Sequence, residues 1–392
     1  MKYPYSSPNL RLTDLIAAAG TPGNTALNEI TSYFKKLTGK KYILITNSCR
    51  SALYLGYKAM NKTGEVITSP LTCKAAIEPI EESGNRPVFA DINLSNLNIN
   101  PGDITPRINR NTIAIQAIHL GGVSCDMDQI QRIARENNLF VIEDCAQALG
   151  AKYNDKYTGT FGDITCFSLI KNAYGIGGGI LATNNEEIFI NAKNISNTFP
   201  KPLRMLIFYR IVRNIIDTKR TSVAGRLLFT ALIKLKGNRT NYQSVAEQLY
   251  RITGVEIKIA ARQISRFDSL HRRRKYVGKS YYDILQNRGL FSHGEYEKDG
   301  SSYTKLFLYN PEFDSRSILE ALNDRGIEAM HLEHKNGSPY QERLISEDLA
   351  DASGLNNYNK VHDALVSLPV PEFFNKDDIE YIVAHLESVN AN

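Results

Sequence analysis

The chain has 392 residues, a formal net charge of +6, 42% hydrophobic and 22% charged residues, and five cysteines. That length exceeds one small core and implies linked lobes, and the ordinary composition excludes a disordered or fibrous chain. The mild charge gives no case for nucleic acid. The scattered, odd-numbered cysteines (Cys49, Cys73, Cys125, Cys145, Cys166) fit neither a disulfide framework nor a paired metal site, and no apolar run reaches the roughly 18–20 residues of a membrane span.

In chain order, the opening MKYPYSSPNLRL lacks the apolar stretch of a signal peptide, so a cytoplasmic location is expected. Seven apolar, β-branched runs then end in small or polar residues: Tyr42–Thr46, Glu65–Ser69, Pro87–Ile92, Thr112–His119, Phe140–Asp144, Ile164–Leu169 and Gly179–Thr183. Helical patterns lie between several of them. In Asp126–Glu136, for example, Met127, Ile130, Ile133 and Ala134 share one face. This alternation predicts an α/β fold with a mostly parallel seven-stranded sheet flanked by helices. Such sheets bind ligands beyond the carboxyl ends of their strands, so the residues after each run are the candidates.

Residues 1–199 are therefore expected to form a large domain. The character changes in 200–248, where Lys201–Arg239 holds ten Lys or Arg against one acid, Asp217, within apolar sequence. Over Met205–Arg220 the charges Arg210, Arg213, Asp217 and Arg220 follow helical spacing, one polar stripe on an apolar helix. Two readings stand: a helix on anionic lipid, giving peripheral membrane contact through 203–236, or a helical hairpin packed on a partner subunit or over the site. Residues 249–392 begin with a long basic helix pattern through Tyr281. Strand-like Lys305–Tyr309 and helical Ser315–Arg325 and Lys376–Glu387 follow, a smaller C-terminal α/β lobe.

Four strand ends carry reactive or binding groups. Asn47–Leu53 turns from strand to helix. It suits a phosphate at a helix N-terminus and equally an ordinary cap by Ser48. At Pro70–Ala76, Thr72 reads as an N-cap. Asp144 ends an apolar strand, where a buried carboxylate needs a cationic partner. A pyridinium nitrogen would serve, keeping pyridoxal 5′-phosphate (PLP) an electron sink, and Gln147 could bond the ring hydroxyl. A plain helix cap is the rival reading of Asp144. Lys171 follows another apolar strand and precedes a glycine-rich turn. A lysine in a partly desolvated site can form a Schiff base, and the turn fits neither GxxxxGK[ST] nor an early GxGxxG.

Taken in order, SPLTCKAA, PVFADINLSNLNI, AIHLGGVSCDMDQIQRIARENNLFVIEDCAQALGA, FGDITCFSLIKN and GIGGGILATNN resemble the DegT/DnrJ/StrS family of PLP-dependent sugar aminotransferases. The resemblance covers roughly Leu27–Thr198 and Leu249 to near the C-terminus. It implies the aspartate-aminotransferase fold and makes Lys171 the imine-forming lysine. Asp144 would pair with the pyridine nitrogen, Gln147 with the ring hydroxyl, and Ala146 would pack under the ring. Ser168 and backbone amides around Cys49, Arg50 and Ser51 would hold the phosphate, with Thr72, Cys73 and His119 near the cofactor. The implied reaction moves an amino group, from glutamate, onto a nucleotide-linked keto-sugar in polysaccharide biosynthesis, in a homodimer. A dehydratase relative or a non-catalytic PLP-binding protein are the alternatives.

Departures from the family pattern are specific. Cys49-Arg50 stands where a small Gly-Thr pair is usual, and Cys73 where an aromatic is common. Ser168 precedes Lys171 by three residues rather than five. The glycine turn lacks its usual Glu, and Leu249 replaces an Asn that reaches the neighbouring subunit's phosphate. Residues 328–340 are expected to contribute to sugar recognition.

Overall fold

The computed structural model describes residues 3–4, 10–20, 23–218, 248–290, 300–309, 314–331, 354–362 and 364–390. All seven expected runs form strands of one sheet: β1 (Tyr42–Thr46), β2 (Glu65–Thr68), β3 (Arg86–Phe89), β4 (Thr112–Ile118), β5 (Phe140–Cys145), β8 (Ile164–Ser168) and β9 (Gly179–Thr183). A two-residue hairpin, β6 (Lys152–Tyr153) and β7 (Lys156–Tyr157), lies between β5 and β8. The order across the sheet is β1-β9-β8-β5-β4-β2-β3. Neighbours pair in parallel except β9, which runs antiparallel to both β1 and β8. Six strands therefore end on the same edge. The central strands are buried on both faces, which accounts for their continuous apolar character.

The large lobe's helices are α1 (Leu12–Gly20), α2 (Gly23–Thr38), α3 (Cys49–Ala59), α4 (Lys74–Glu82), the short α5 (Pro101–Ile104), α6 (Met127–Glu136) and α7 (Glu186–Thr198). Short polar side chains start several of them by accepting orphan amides: Ser48 for α3, Asp126 for α6 and Asn185 for α7. The helix read from the basic stretch is α8 (Arg204–Thr218); residues 219–247 lie outside the described residues.

The long basic pattern proves to be two helices, α9 (Gly254–Ile264) and α10 (Phe267–Asn287). A capping box of Thr253 and Glu256 starts α9. Its Ala260, Ala261 and Ile264 pack with Ala26, Ile30 and Phe34 of α2 into the large lobe's core. The small lobe has an antiparallel sheet, ordered β10 (Leu306–Leu308), β12 (Val366–Leu368), β11 (Met330–His331). Helices α11 (Ser315–Asp324), α12 (Asn356–Val361) and α13 (Lys376–Asn390) complete the described chain. Val277, Tyr281 and Leu285 of α10 join Leu322, Leu368, Phe374 and Ile382 in its core. Tyr3 reaches the same core and pairs with Ile327 through Glu328 N donating to Tyr3 O.

Candidate active site

A cavity of about 230 Å³ opens where β1, β2, β4, β5 and β8 end. Its wall includes Cys49, Arg50, Thr72, Cys73, Asp144, Ala146, Gln147, Ser168 and Lys171, nine of the eleven residues nominated from sequence. Residues some 120 positions apart in the chain thus meet because their strands are neighbours in one parallel sheet.

Asp144 is buried at the end of β5. Its Oδ1 accepts from Ala146 N (2.9 Å) and lies 3.8 Å from Cys49 Sγ. Among the described residues no donor meets Oδ2. Burial pushes its carboxyl pKa above the ordinary value, while the Ala146 amide, Lys171 and His119 pull the other way. The same burial, with Asp144 alongside, raises the Cys49 thiol well above its usual range and keeps it neutral.

Gln147 is oriented by the HLGG segment. Gly121, at φ +65°, turns its amide onto Gln147 Oε1 at 3.0 Å, so the side-chain NH₂ is left to face the cavity. Ser168 ends β8, and its Oγ accepts from Ile170 N at 3.3 Å. Lys171 stands on the loop beyond it and is exposed on this chain. The desolvation expected around it does not come from the described residues. Gly179 serves the helix rather than a ligand: a Cβ there would sit 2.3 Å from Ser48 C and 2.4 Å from Cys49 N. The glycine-rich turn lets β9 pass directly over the start of α3.

Three expectations are corrected. Thr72 does not cap α4. Cys73 occupies the N-cap with no side-chain bond, and the buried Thr72 Oγ1 has no partner, so it is left for the cavity it lines. Ser51 is not on the wall. Its amide is taken by Ser48 Oγ (3.1 Å) and its hydroxyl donates to Asn47 Oδ1 (2.6 Å). His119 is fully buried behind the wall: Nδ1 accepts from Cys125 N (3.0 Å), so Nε2 carries the proton towards Glu143 Oε1 (3.0 Å). It supports β4 and β5 and does not line this cavity.

Glu143, on the opposite face of β5 from Asp144, is also fully buried. It accepts from the amides of Gly159, Phe161 and Gly162 as well as His119. His119, Glu143 and Cys145 lie within 4.8 Å of one another, but these donors already fill the carboxylate and leave it no lone pair aimed at a cation.

Two wall residues escaped sequence reasoning, Arg210 and Gln248. Arg50 Nη1 donates to Gln248 Oε1, and Asn47 Nδ2 to Gln248 O (2.9 Å), closing this side over the start of α3. Arg210 arrives on α8, whose Ile207, Ile211 and Ile215 pack with Ile176, Tyr250 and Ile259. The described basic helix α8 thus lies beside the site; the hairpin reading extends into 219–247, outside the described residues.

The donors fit a phosphorylated, cationic aromatic ring. Asp144 offers an unshared buried carboxylate oxygen, Thr72 an orphaned hydroxyl, Gln147 a free amide and Lys171 an amine. An amine and a buried carboxylate thus meet at the strand ends of a mainly parallel α/β sheet. The chain belongs to the DegT/DnrJ/EryC1/StrS aminotransferase family, whose model matches residues 15–387. It is 26% identical to the spore coat polysaccharide biosynthesis protein SpsC of Bacillus subtilis, over 98% of this chain and 96% of that one. It is 27% identical to dTDP-3-amino-3,6-dideoxy-alpha-D-galactopyranose transaminase of Aneurinibacillus thermoaerophilus, over 91% of this chain and 87% of that one. The structure of Helicobacter pylori PseC, an aminotransferase of pseudoaminic acid biosynthesis, superposes with a TM-score of 0.75, covering 100% of both chains at 21% identity. That likeness shows the fold.

Proposed function

We propose that this aminotransferase uses PLP to transfer an amino group from glutamate onto a nucleotide-linked keto-sugar in polysaccharide biosynthesis. The observation that carries the reading is the placement of Lys171 and the buried Asp144 on one cavity. The relatives' printed activities, transaminases acting on dTDP- and UDP-linked amino sugars, support the substrate class.

When bound, PLP supplies an electron sink that weakens the C–H bond beside the reacting amine. Asp144 supplies the negative charge that keeps the pyridine nitrogen protonated, which relieves its own buried charge. Gln147 donates to the ring oxygen. Thr72 Oγ1, Ser168 Oγ and the first amides of α3 at Cys49 and Arg50 would hold the phosphate, with the helix dipole adding to the attraction. Ala146 and Cys73 bound the ring. Lys171 Nζ would hold the cofactor and, when free, would serve as the base and acid that moves the proton beside the reacting amine. A retained lysine at this position favours transamination over dehydration.

The homodimer belongs to the same proposal: a second subunit would complete the cavity and desolvate Lys171. Peripheral contact with anionic membrane is proposed only for the outer face of α8 and the residue before it, where Leu203, Met205, Leu206 and Phe208 are exposed. Among the described residues no helix is long and apolar enough to cross a membrane. Co-sedimentation with anionic vesicles at low salt tests that contact, and protein left in the supernatant removes it.

The visible spectrum tests the central reading. With PLP, the wild type should show an imine band that bleaches on adding glutamate, and Lys171→Ala should show neither. A wild-type band indifferent to glutamate would replace this reading with another donor or a dehydratase.

A further inference from the structure

Arg210 is distant in sequence from every strand end, yet lines the same cavity as Lys171. Its guanidinium is tethered from behind. Nη1 donates to Glu256 Oε1 at 3.0 Å and to the Tyr250 hydroxyl. Tyr250 OH also donates to Glu256 Oε1 at 2.5 Å, while Glu256 Oε2 accepts from Thr253 N and Oγ1, both at 2.9 Å. Glu256 is fully buried: its Oε1 holds Arg210 and Tyr250, while its Oε2 closes the capping box that starts α9.

Gly177 makes room for it. A Cβ at that position would lie 2.3 Å from Glu256 Oε1 and 3.1 Å from Arg210 Nη1. The glycine turn that lacks the family's usual Glu thus receives a carboxylate from α9 instead, and that carboxylate holds an arginine.

The tether uses one corner of the guanidinium. Arginine presents five N–H donors in a rigid planar fork, and among the described residues no acceptor meets Nε or Nη2 of Arg210. Arg50, the other arginine on the wall, is turned instead to Gln248 and towards Glu78, 4.0 Å away. A fork with one corner fixed, on a residue that lines the cavity, is suited to two oxygens of a carboxylate or a phosphate.

Given the aminotransferase reading, we infer that Arg210 is a substrate-recognition residue that binds an anionic oxygen group, the carboxylate of the amino donor or the diphosphate of the nucleotide-linked sugar. The Glu256–Tyr250 tether is its positioning device, and Gly177 the space the device needs.

The variant to build is Arg210→Gln with Glu256→Gln, because removing the arginine alone would leave a buried carboxylate uncompensated and could unfold the region. Two titrations of the PLP-loaded dimer or monomer, as purified, separate the sources: bleaching of the cofactor band by L-glutamate, and calorimetric binding of UDP, GDP and dTDP. The double variant should take up PLP with an unaltered band and lose about tenfold or more in one titration, the loss of a charge-assisted pair. A loss confined to glutamate assigns the carboxylate, and one confined to the nucleotides assigns the diphosphate. Arg210→Lys, which keeps the charge but not the fork, should fall between wild type and the double variant. Unchanged constants in both titrations overturn the inference. So does loss of the cofactor band from the double variant alone, which would assign Arg210 to the cofactor or the fold. A wild type with no band would sink the parent reading instead.

Discussion

Asp144 and Glu143 are adjacent on β5, and both are buried. Their environments separate them. Burial opposes Glu143's charge, but the His119 bond and the Gly159 and Gly162 amides outweigh it and hold its pKa below the usual carboxylate value. Glu143 therefore binds fewer protons folded than unfolded, and the stability it contributes is lost as pH falls through the carboxylate range. Asp144 has the opposite sign. Its pKa is raised by burial, so in cofactor-free protein its contribution is lost as pH rises from the ordinary Asp value through the folded one. Asp144→Asn should consequently raise the melting temperature of cofactor-free protein at pH 7–8, while slowing the proton-transfer step severely. Thermal denaturation of cofactor-free wild type and variant checks this, and a lower melting temperature for the variant would refute the unpaired-charge account. The buried place of Asp144 on the cavity was legible because an acid closing an apolar strand demands an explanation. The Thr72 cap, the Ser51 amide and the place of His119 were not legible because each depends on which local partner gets there first. Ser48 takes the Ser51 amide, Cys73 takes the cap position, and Cys125 and Glu143 take the imidazole.

At the level of elements, the sheet could be read almost completely because a doubly covered parallel strand writes its burial as an unbroken apolar run. β1 and β9 begin and end as expected, and the other five differ by one to three residues at an end. The orientation of α8 could not be read this way. Outside its one polar stripe the sequence is apolar, so periodicity alone cannot choose which apolar side meets the protein. The choice is made by long-range partners: Ile176 beside the Lys171 loop and Ile259 on α9 receive Ile207, Ile211 and Ile215. Arg210 is drawn inward with that face, although its spacing with Arg213 puts both on one polar stripe. Arg213 is exposed. Replacing Ile207, 8% exposed, by Asp should therefore release α8 and carry Arg210 off the cavity. Phe208→Ser, on the outer face at 63% exposed, should change stability by no more than about 0.5 kcal/mol. Limited proteolysis read at the α8 segment distinguishes the two. Equal cleavage rates for both variants would mean that the inner face does not hold the helix.

Across the whole molecule, the two lobes meet at the loop that carries Lys171. Tyr174 sits on that loop at φ +54°, a left-handed conformation that a tyrosine adopts only when its surroundings enforce it. Its hydroxyl reaches both oxygens of Glu372, at 2.6 and 2.8 Å, from the segment following β12. Arg274 of α10 completes the cluster, donating to Tyr174 OH at 3.0 Å, to the Asn172 carbonyl at 3.4 Å and to Glu372. Asn172 is held in turn by Thr304 Oγ1, which donates to its Oδ1 at 2.8 Å. Burial, offset in part by Arg274 and reinforced by Glu372, keeps Tyr174 protonated, so it acts as donor to the carboxylate. All three side chains are buried, so none is indifferent to losing its partner. Glu372→Ala leaves the Arg274 guanidinium without its counter-charge and should destabilise the protein by about 3–5 kcal/mol, whereas Glu372→Gln, which retains an acceptor, should cost less. Denaturant unfolding of both variants beside the exposed control Lys376→Ala measures this. The cluster also flanks Lys171 through Asn172 and Tyr174, so Glu372→Gln should weaken PLP uptake even where it folds well, read from the imine band as PLP is titrated. If Glu372→Ala unfolded no more easily than the Lys376 control, the lobes would be joined by their apolar contacts alone, and the Lys171 loop would owe its shape to the large lobe.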